Sequence, residues 1–261
     1  MVEFCTIASG SSGNCACVGF GDRHFLVDAG LSGKRIENAL HKMNVRALGG
    51  IFITHEHRDH IAGVGVMARR FKLNIYATPQ TWRYFAYNQS LGALNAEQIK
   101  VIEPGKPVDV GGVKITAFDI SHDAEQPVGY TFEAGNKKAA CVTDLGEITD
   151  TVRNHLSGCN ILMLESNHDP EMLRNGPYPY PLKKRISGPN GHISNAEAGY
   201  LLTEIMGDEL EYVFLAHLSE DNNTPMLAYE TVRRILDVNG LDLKGLAVAE
   251  RHSAGPVVRC E

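Results

Sequence analysis

Residues 50–60 read GIFITHEHRDH, an apolar run that passes into a segment, Thr54–His60, holding three histidines and two acids. In an extended chain residues two apart share a face, so His55 and His57 project together while Glu56 and Arg58 point elsewhere. Asp59 and His60 stand where the strand should give way to a helix, and both can turn back toward the same point. Nitrogen and oxygen donors gathered in this way suit two divalent ions of the zinc or manganese type, and iron would also be accepted. The competing explanation, a solvated polar loop with coincidental histidines, gives no reason for H-x-H-x-D-H directly after an apolar strand.

The chain has 261 residues, 43% apolar and 21% charged, enough to bury a sizeable core in one domain. Apolar runs are strand-sized and broken by charge or glycine, so no membrane span is expected. The opening MVEFCTIASG lacks a basic segment followed by a long apolar one, so no secretory signal is expected either. Six cysteines (5, 15, 17, 141, 159, 260) are scattered without a C-x-x-C pair, which fits reduced thiols and a cytoplasmic location. A net charge of −6 argues against a protein that coats nucleic acid through a broad basic surface, but leaves room for a local basic groove.

Short strands dominate the first part, VEFCTIAS, NCACVGF and RHFLVDAG, with glycine-rich turns between them. In SGKRIENALHKM the apolar positions Ile36, Leu40 and Met43 fall at helical spacing, with Ser32 placed as N-cap. The strand GGIFITH and the helix HIAGVGVMARRF flank the opening motif, followed by the strand LNIYATP and the helix QTWRYFAYN. Two hairpins are expected at Gly111-Gly112 and Gly135-Asn136. Later strands NILMLESN, EYVFLAH and GLAVAE alternate with helices near 147–157, 194–206 and 225–237, and residues 174–191 read as an irregular excursion. This order suggests two packed sheets with helices on their outer faces, all in one domain, 1–261.

The H-x-H-x-D-H motif resembles the signature of the metallo-β-lactamase superfamily, which implies a four-layer αββα sandwich with a two-metal site where the sheets meet. The resemblance implies further ligands at strand ends, and His122 in FDISHDA, Asp144 in CVTDLG and His217 in VFLAHLSE stand there in order. It implies His55, His57 and His122 on one metal, Asp59, His60 and His217 on the other, and Asp144 between them. Asp28 in FLVDAG matches the family's early aspartate, which supports the ligands from behind.

Three further segments bear on substrate. In IASGSSGNC, Ser11, Ser12, Gly13 and Asn14 form a tight turn whose backbone N–H groups can approach an anion, or an ordinary hairpin turn. LMLESNHD ends in Glu165, Asn167, His168 and Asp169, either the rim of a site or a turn that caps the helix PEML. In YPYPLKKRISGPNGHISN, Ser194 and Glu197 form an S-x-x-E capping box whose helix start can hold a phosphate, with His192 just before it. Lys183, Lys184 and Arg185 add positive charge there, and Tyr178 and Tyr180 can stack on bases or sugars, whereas a merely solvated basic loop would not explain this convergence.

GHISN also resembles the G-H-A-S motif of β-CASP nucleases, in which the histidine helps bind the scissile phosphate, yet the chain is too short for the inserted β-CASP domain. Across nearly its whole length it resembles the YycJ/WalJ family, on GSSGNC, THEHRDH, ISHDA, TDLG, ESNHD, LKKRISGPNGHISN and HLSEDNN. That resemblance implies a cytoplasmic bacterial phosphodiesterase with 5′→3′ exonuclease activity on DNA, favoured over RNA, and a connection to DNA repair. Asp59 would orient the nucleophile, while His192 would bind the phosphate or protonate the leaving oxygen. The alternatives are a thioester or lactone hydrolase of the glyoxalase II or lactonase type, which leaves the basic segment without a task, or a small-molecule phosphodiesterase. His252 and the C-terminal strand are assigned no role.

Overall fold

The computed structural model describes residues 1–261. Its first strands are β1 (Val2–Ala8), β2 (Cys15–Phe20), β3 (Arg23–Val27), β4 (Gly50–Phe52), β5 (Ile75–Ala77) and β6 (Ile99–Val101). There follow β7 (Val108–Asp109), β8 (Lys114–Asp119), β9 (Val128–Ala134), β10 (Lys137–Val142), β11 (Ile161–Glu165), β12 (Tyr212–Ala216) and β13 (Gly245–Val248). The last strand, β14 (Val258–Cys260), returns to pair with β1. Two seven-stranded sheets result, ordered β14-β1-β2-β3-β4-β5-β6 and β13-β12-β11-β10-β9-β8-β7. In each sheet antiparallel hairpins lead into a parallel half, β3 to β6 in one and β10 to β13 in the other.

Alternation along the strands decides the layering. Phe25, Phe52, Phe132, Met163 and Phe214 point between the sheets and share one core. Their neighbours Leu26 and Ile51 point out from the first sheet, and Leu162, Leu164, Val213 and Leu215 from the second. These strands are therefore apolar on both faces and must be covered on both. Helices α1 (Gly33–Lys42), α2 (Arg58–Ile61), α3 (Val64–Phe71) and α4 (Pro79–Asn88) follow strands of the first sheet. Ile36, Leu40, Met67 and Phe85 from this group seal its outer face. Helices α5 (Asp150–Leu156), α6 (Pro170–Asn175), α7 (Tyr180–Ile186), α8 (Asn195–Ile205) and α9 (Pro225–Val238) belong to the second half. Val152, Leu201 and Val232 cover the second sheet, which completes the αββα order. Each fully buried phenylalanine contributes on the order of 1.5–3 kcal/mol, and Phe52 stacks on Tyr76 at 4.3 Å between ring centres. No helix is long and apolar enough to cross a membrane.

Three expectations need correction. β4 ends at Phe52, so His55 and His57 lie beyond the ladder rather than within a strand. Asp28 draws the chain away by accepting from both Thr54 N and Thr54 Oγ1 at 2.8 Å. The helix expected over residues 60–71 is split into α2 and α3 at Gly63, where an added Cβ would lie 2.0 Å from Leu31 O. Within the expected irregular excursion, 174–191, residues Tyr180–Ile186 form the short helix α7, so Lys183, Lys184 and Arg185 sit on a helix. Ser32 occupies the N-cap position of α1 but makes no side-chain capping bond.

Three segments cross at Gly30: its N–H donates to Asn14 O (2.8 Å), and Asn14 N–H donates to Asp59 O (2.7 Å). A Cβ at Gly30 would lie 1.6 Å from Asp59 O, so only glycine fits. Gly30→Ala should lower stability by about 1–3 kcal/mol or more, read as a fall in melting temperature. An unchanged melting temperature would show that the crossing has slack.

Candidate metal centre

The parallel strands of the two sheets deliver their carboxyl ends to one place. Asp28 follows β3, His55 and His57 follow β4, Asp144 follows β10, Glu165 ends β11 and His217 follows β12. Asp28, Asp144 and His217 have φ of 58°, 58° and 56°, the left-handed region that L-residues avoid at a cost of about 1–2 kcal/mol. Three such turns at three strand ends aim their side chains into the gap between the sheets, a concentration of strain typical of functional sites.

Donor atoms of His55, His57 and His122 lie within 4.8 Å of one another, as do those of Asp59, His60 and His217, and those of His55, His60 and Asp144. His55 Nε2 and His57 Nδ1 face each other at 3.0 Å. Asp144 Oδ1 is 3.5 Å from His122 Nε2 and 3.6 Å from His217 Nδ1, and its Oδ2 is 3.2 Å from His60 Nε2. The carboxylate thus stands between the groups, and Oδ2 is buried without a hydrogen bond. Burial pushes the Asp144 carboxyl up, but His217, His60 and His55 hold it well below the usual carboxylate range. Burial, with His60 beside it, pulls the His55 imidazole well below its usual value. Imidazole nitrogens converging on a buried carboxylate, one of whose oxygens makes no hydrogen bond, fit divalent metal ions.

Several outward ring nitrogens are held by the protein, the arrangement that fixes a ligand's tautomer and aim. His60 Nδ1 meets Asp28 Oδ2 at 2.7 Å, His55 Nδ1 meets Thr54 Oγ1 at 3.0 Å, and His217 Nδ1 meets Glu165 Oε1 at 2.9 Å. Asp28 therefore lies behind His60, on the side of the ring away from Asp144. Glu165 is the residue whose importance sequence reasoning missed. It is fully buried and also accepts from His192 Nδ1 (2.9 Å), Asp144 N (3.1 Å), Leu145 N (2.7 Å) and Ile193 N (3.3 Å). Burial raises the Glu165 carboxyl, but His192 and His217 overcome it and lower it to about 2. In His192 burial lowers the imidazole, and Glu165 more than reverses this, raising it to about 9.

A cleft of about 320 Å³ opens over the donors, lined by His122, His192, His217, Arg185, Tyr178 and Ser11 among others. His192 lies 5.2 Å from both the His122 and His217 rings, with Nδ1 taken by Glu165 and Nε2 left for the cleft. Arg185 reaches the same cleft and pairs with Asp123 at 2.7 Å. Other expected substrate contacts fall elsewhere. Asn14 is buried, with its amide 3.2 Å from Asp59 Oδ2 and 3.0 Å from His60 Nε2, so it braces donors instead of lining the cleft. Ser12 is exposed and outside the cleft, where Ser11 takes the place expected for it. Ser194 is buried in a closed capping box: Ser194 N donates to Glu197 Oε2 (2.7 Å), Glu197 N donates to Ser194 Oγ (3.3 Å), and Asn195 N donates to His168 O (2.9 Å). These backbone donors at the start of α8 are therefore already used. Lys183, Lys184 and His168 line a different cavity on the other side of α7.

Residues 23–217 match the family described as a beta-lactamase superfamily domain. The fold is that of a metallo-β-lactamase-fold protein, and the chain superposes on the metallo-beta-lactamase fold protein YhfI from Bacillus subtilis with a TM-score of 0.71 at 16% identity, covering 97% of this chain and 98% of that one. The chain belongs to the YycJ/WalJ family within that superfamily. It is 40% identical over 242 residues to exodeoxyribonuclease YycJ of Bacillus anthracis, covering 92% of this chain and 90% of that protein. It is 38% identical over 232 residues to exodeoxyribonuclease WalJ of Streptococcus pneumoniae serotype 2, covering 88% and 86% respectively.

Removing the charge of Glu165 while keeping its shape should loosen the donors without unfolding the chain. Glu165→Gln is expected to lower metal affinity about 10–100-fold, measured by competition with a chromogenic chelator. Unchanged affinity would reduce Glu165 to a strand-end cap.

Proposed function

We propose that residues 1–261 act as one metal-dependent phosphodiesterase unit, an exodeoxyribonuclease that removes nucleotides from DNA in the 5′→3′ direction. DNA is favoured over RNA, and a cytoplasmic setting connected with DNA repair fits the reading. The observation that carries it is the pair of cationic side chains on the cleft wall, His192 and Arg185, facing the donor cluster. The scissile group of a thioester or lactone carries no negative charge for them to hold, whereas that of a phosphodiester does. The exodeoxyribonuclease relatives, similar over most of the chain, support the same choice.

His55, His57 and His122 would hold one divalent ion, Asp59, His60 and His217 the other, and Asp144 would bridge them, with zinc, manganese or iron all compatible with the donors. Such ions supply Lewis-acid charge to phosphoryl oxygens and make water acidic enough to attack near neutral pH. The chain's own residues do the rest. Asp59, with a side chain 24% exposed against 4% for Asp144, is the more accessible of the two carboxylates and orients attacking water by accepting a hydrogen bond from it. His192, kept cationic by Glu165, donates from Nε2 to a non-bridging phosphate oxygen or to the leaving oxygen. Arg185 adds a second positive charge along the strand's path.

Metal-reconstituted protein incubated with end-labelled DNA and RNA oligonucleotides should shorten DNA progressively from its 5′ end. His192→Ala should retain its metal by elemental analysis and lose activity about 10²–10⁴-fold. Turnover of S-lactoylglutathione without cleavage of DNA or a bis-aryl phosphodiester would replace this reading with the thioester class. Large metal loss in His192→Ala would put that residue among the ligands.

A further inference from the structure

Helix α7 splits the basic run between two cavities. Leu182, Arg185 and Ile186 face the cleft over the donors, whereas Tyr180, Lys183, Lys184 and Ser187 line a separate cavity of about 370 Å³. His168 and Arg174 contribute to its opposite wall, and no carboxylate is among its lining residues. Three side chains of fixed positive charge surround one hollow, and of these only Arg174 has a carboxylate partner, Glu171 at the surface.

The cavity is built rather than incidental. His168 is only 3% exposed, and its Nδ1 is buried without a partner. Its backbone is fixed, because His168 O accepts from Asn195 N at 2.9 Å and residue 168 forms a parallel bridge with Ser194. Lys183 Nζ is held to the end of α6 by donating to Arg174 O at 2.7 Å. Arg174 pairs only with exposed Glu171, a solvated contact that an incoming anion can replace. Lys184 makes no ion pair. Tyr180 is 77% exposed at the rim, where its ring can lie against a sugar or base.

We propose that this cavity is a phosphoryl-binding site separate from the metal centre. Its ligand is a backbone phosphate of the nucleic-acid strand, away from the bond being cut, or free inorganic phosphate. The first source rests on the nuclease reading above; the second does not. In the first case the strand crosses α7, with Arg185 on the cleft side and Lys184 on the far side.

The test uses full-length metal-loaded protein and the double variant Arg174→Glu/Lys184→Glu. A second double variant, Lys42→Glu/Lys106→Glu, changes net charge equally at other sites. Binding of a single-stranded phosphorothioate oligonucleotide, followed by fluorescence anisotropy across a salt series, should weaken about tenfold in the cavity variant. Its salt dependence should flatten by roughly 0.7 of a slope unit per lost phosphate contact, while the control follows wild type. Inorganic phosphate titrated into histidine-labelled wild type should shift the His168 ring resonances, and should not do so in the cavity variant. Shifts in His168 with unchanged oligonucleotide binding would assign the site to free phosphate. Oligonucleotide binding equal in cavity and control variants, together with unmoved His168 resonances, would overturn the proposal. Hydrolysis of a bis-aryl phosphodiester by wild type tests the nuclease reading separately, since the phosphate titration still reports on the cavity if that hydrolysis fails.

Discussion

The carboxylate of Glu165 ties the second sheet to the site. One oxygen accepts from two imidazoles, His192 and His217, and from the backbone of Asp144, while the other holds Leu145 and Ile193. An isolated buried carboxylate would cost several kcal/mol, so its retention requires this full set of donors. Satisfying them fixes the ends of β10 and β12 and the segment leading into α8 relative to one another. Each of those segments carries a side chain that faces the cleft or the donors. The same group that aims His217 also keeps His192 charged, so ligand geometry and the cationic wall have a common origin.

Asp28 plays the matching part in the first sheet. It pulls Thr54 out of the ladder and holds His60 from behind, so the H-x-H-x-D-H segment leaves its strand early and curls back. Asn14 reaches the same donors from a neighbouring turn, and Gly30 supplies the room for that approach. The two sheets thus support their halves of the site by the same device, a buried carboxylate behind histidines. The strained backbone at Asp28, Asp144 and His217 is tolerated because the packed sheets leave these residues no alternative.

Much of this was legible in sequence because the donors are chemically specific and strands end where apolar runs end. His55, His57, Asp59 and His60 were recognisable from spacing, while His122, Asp144 and His217 needed the added knowledge of order and strand-end position. Glu165 was not legible as a hub, since its partners lie 20 to 52 residues away and a carboxylate after an apolar strand reads as a cap. Helix α7 was missed for another reason. It has no buried residue, so it carries no amphipathic signal, and its flanking prolines suggest a loop although proline is well tolerated in a first helical turn. The capping box at Ser194 signals a helix start and also occupies the Ser194 and Glu197 N–H groups that such a start would offer to a phosphate.

Everything proposed for the chemistry depends on metal occupying the junction between the sheets. The most direct measurement is an anomalous difference map from crystals grown with zinc or manganese, recorded at the metal's absorption edge. Two peaks are predicted, one among His55, His57 and His122 and one among Asp59, His60 and His217, with Asp144 in contact with both. Peaks confined to other parts of the surface, or a junction without anomalous density in metal-loaded protein, would contradict the two-metal site.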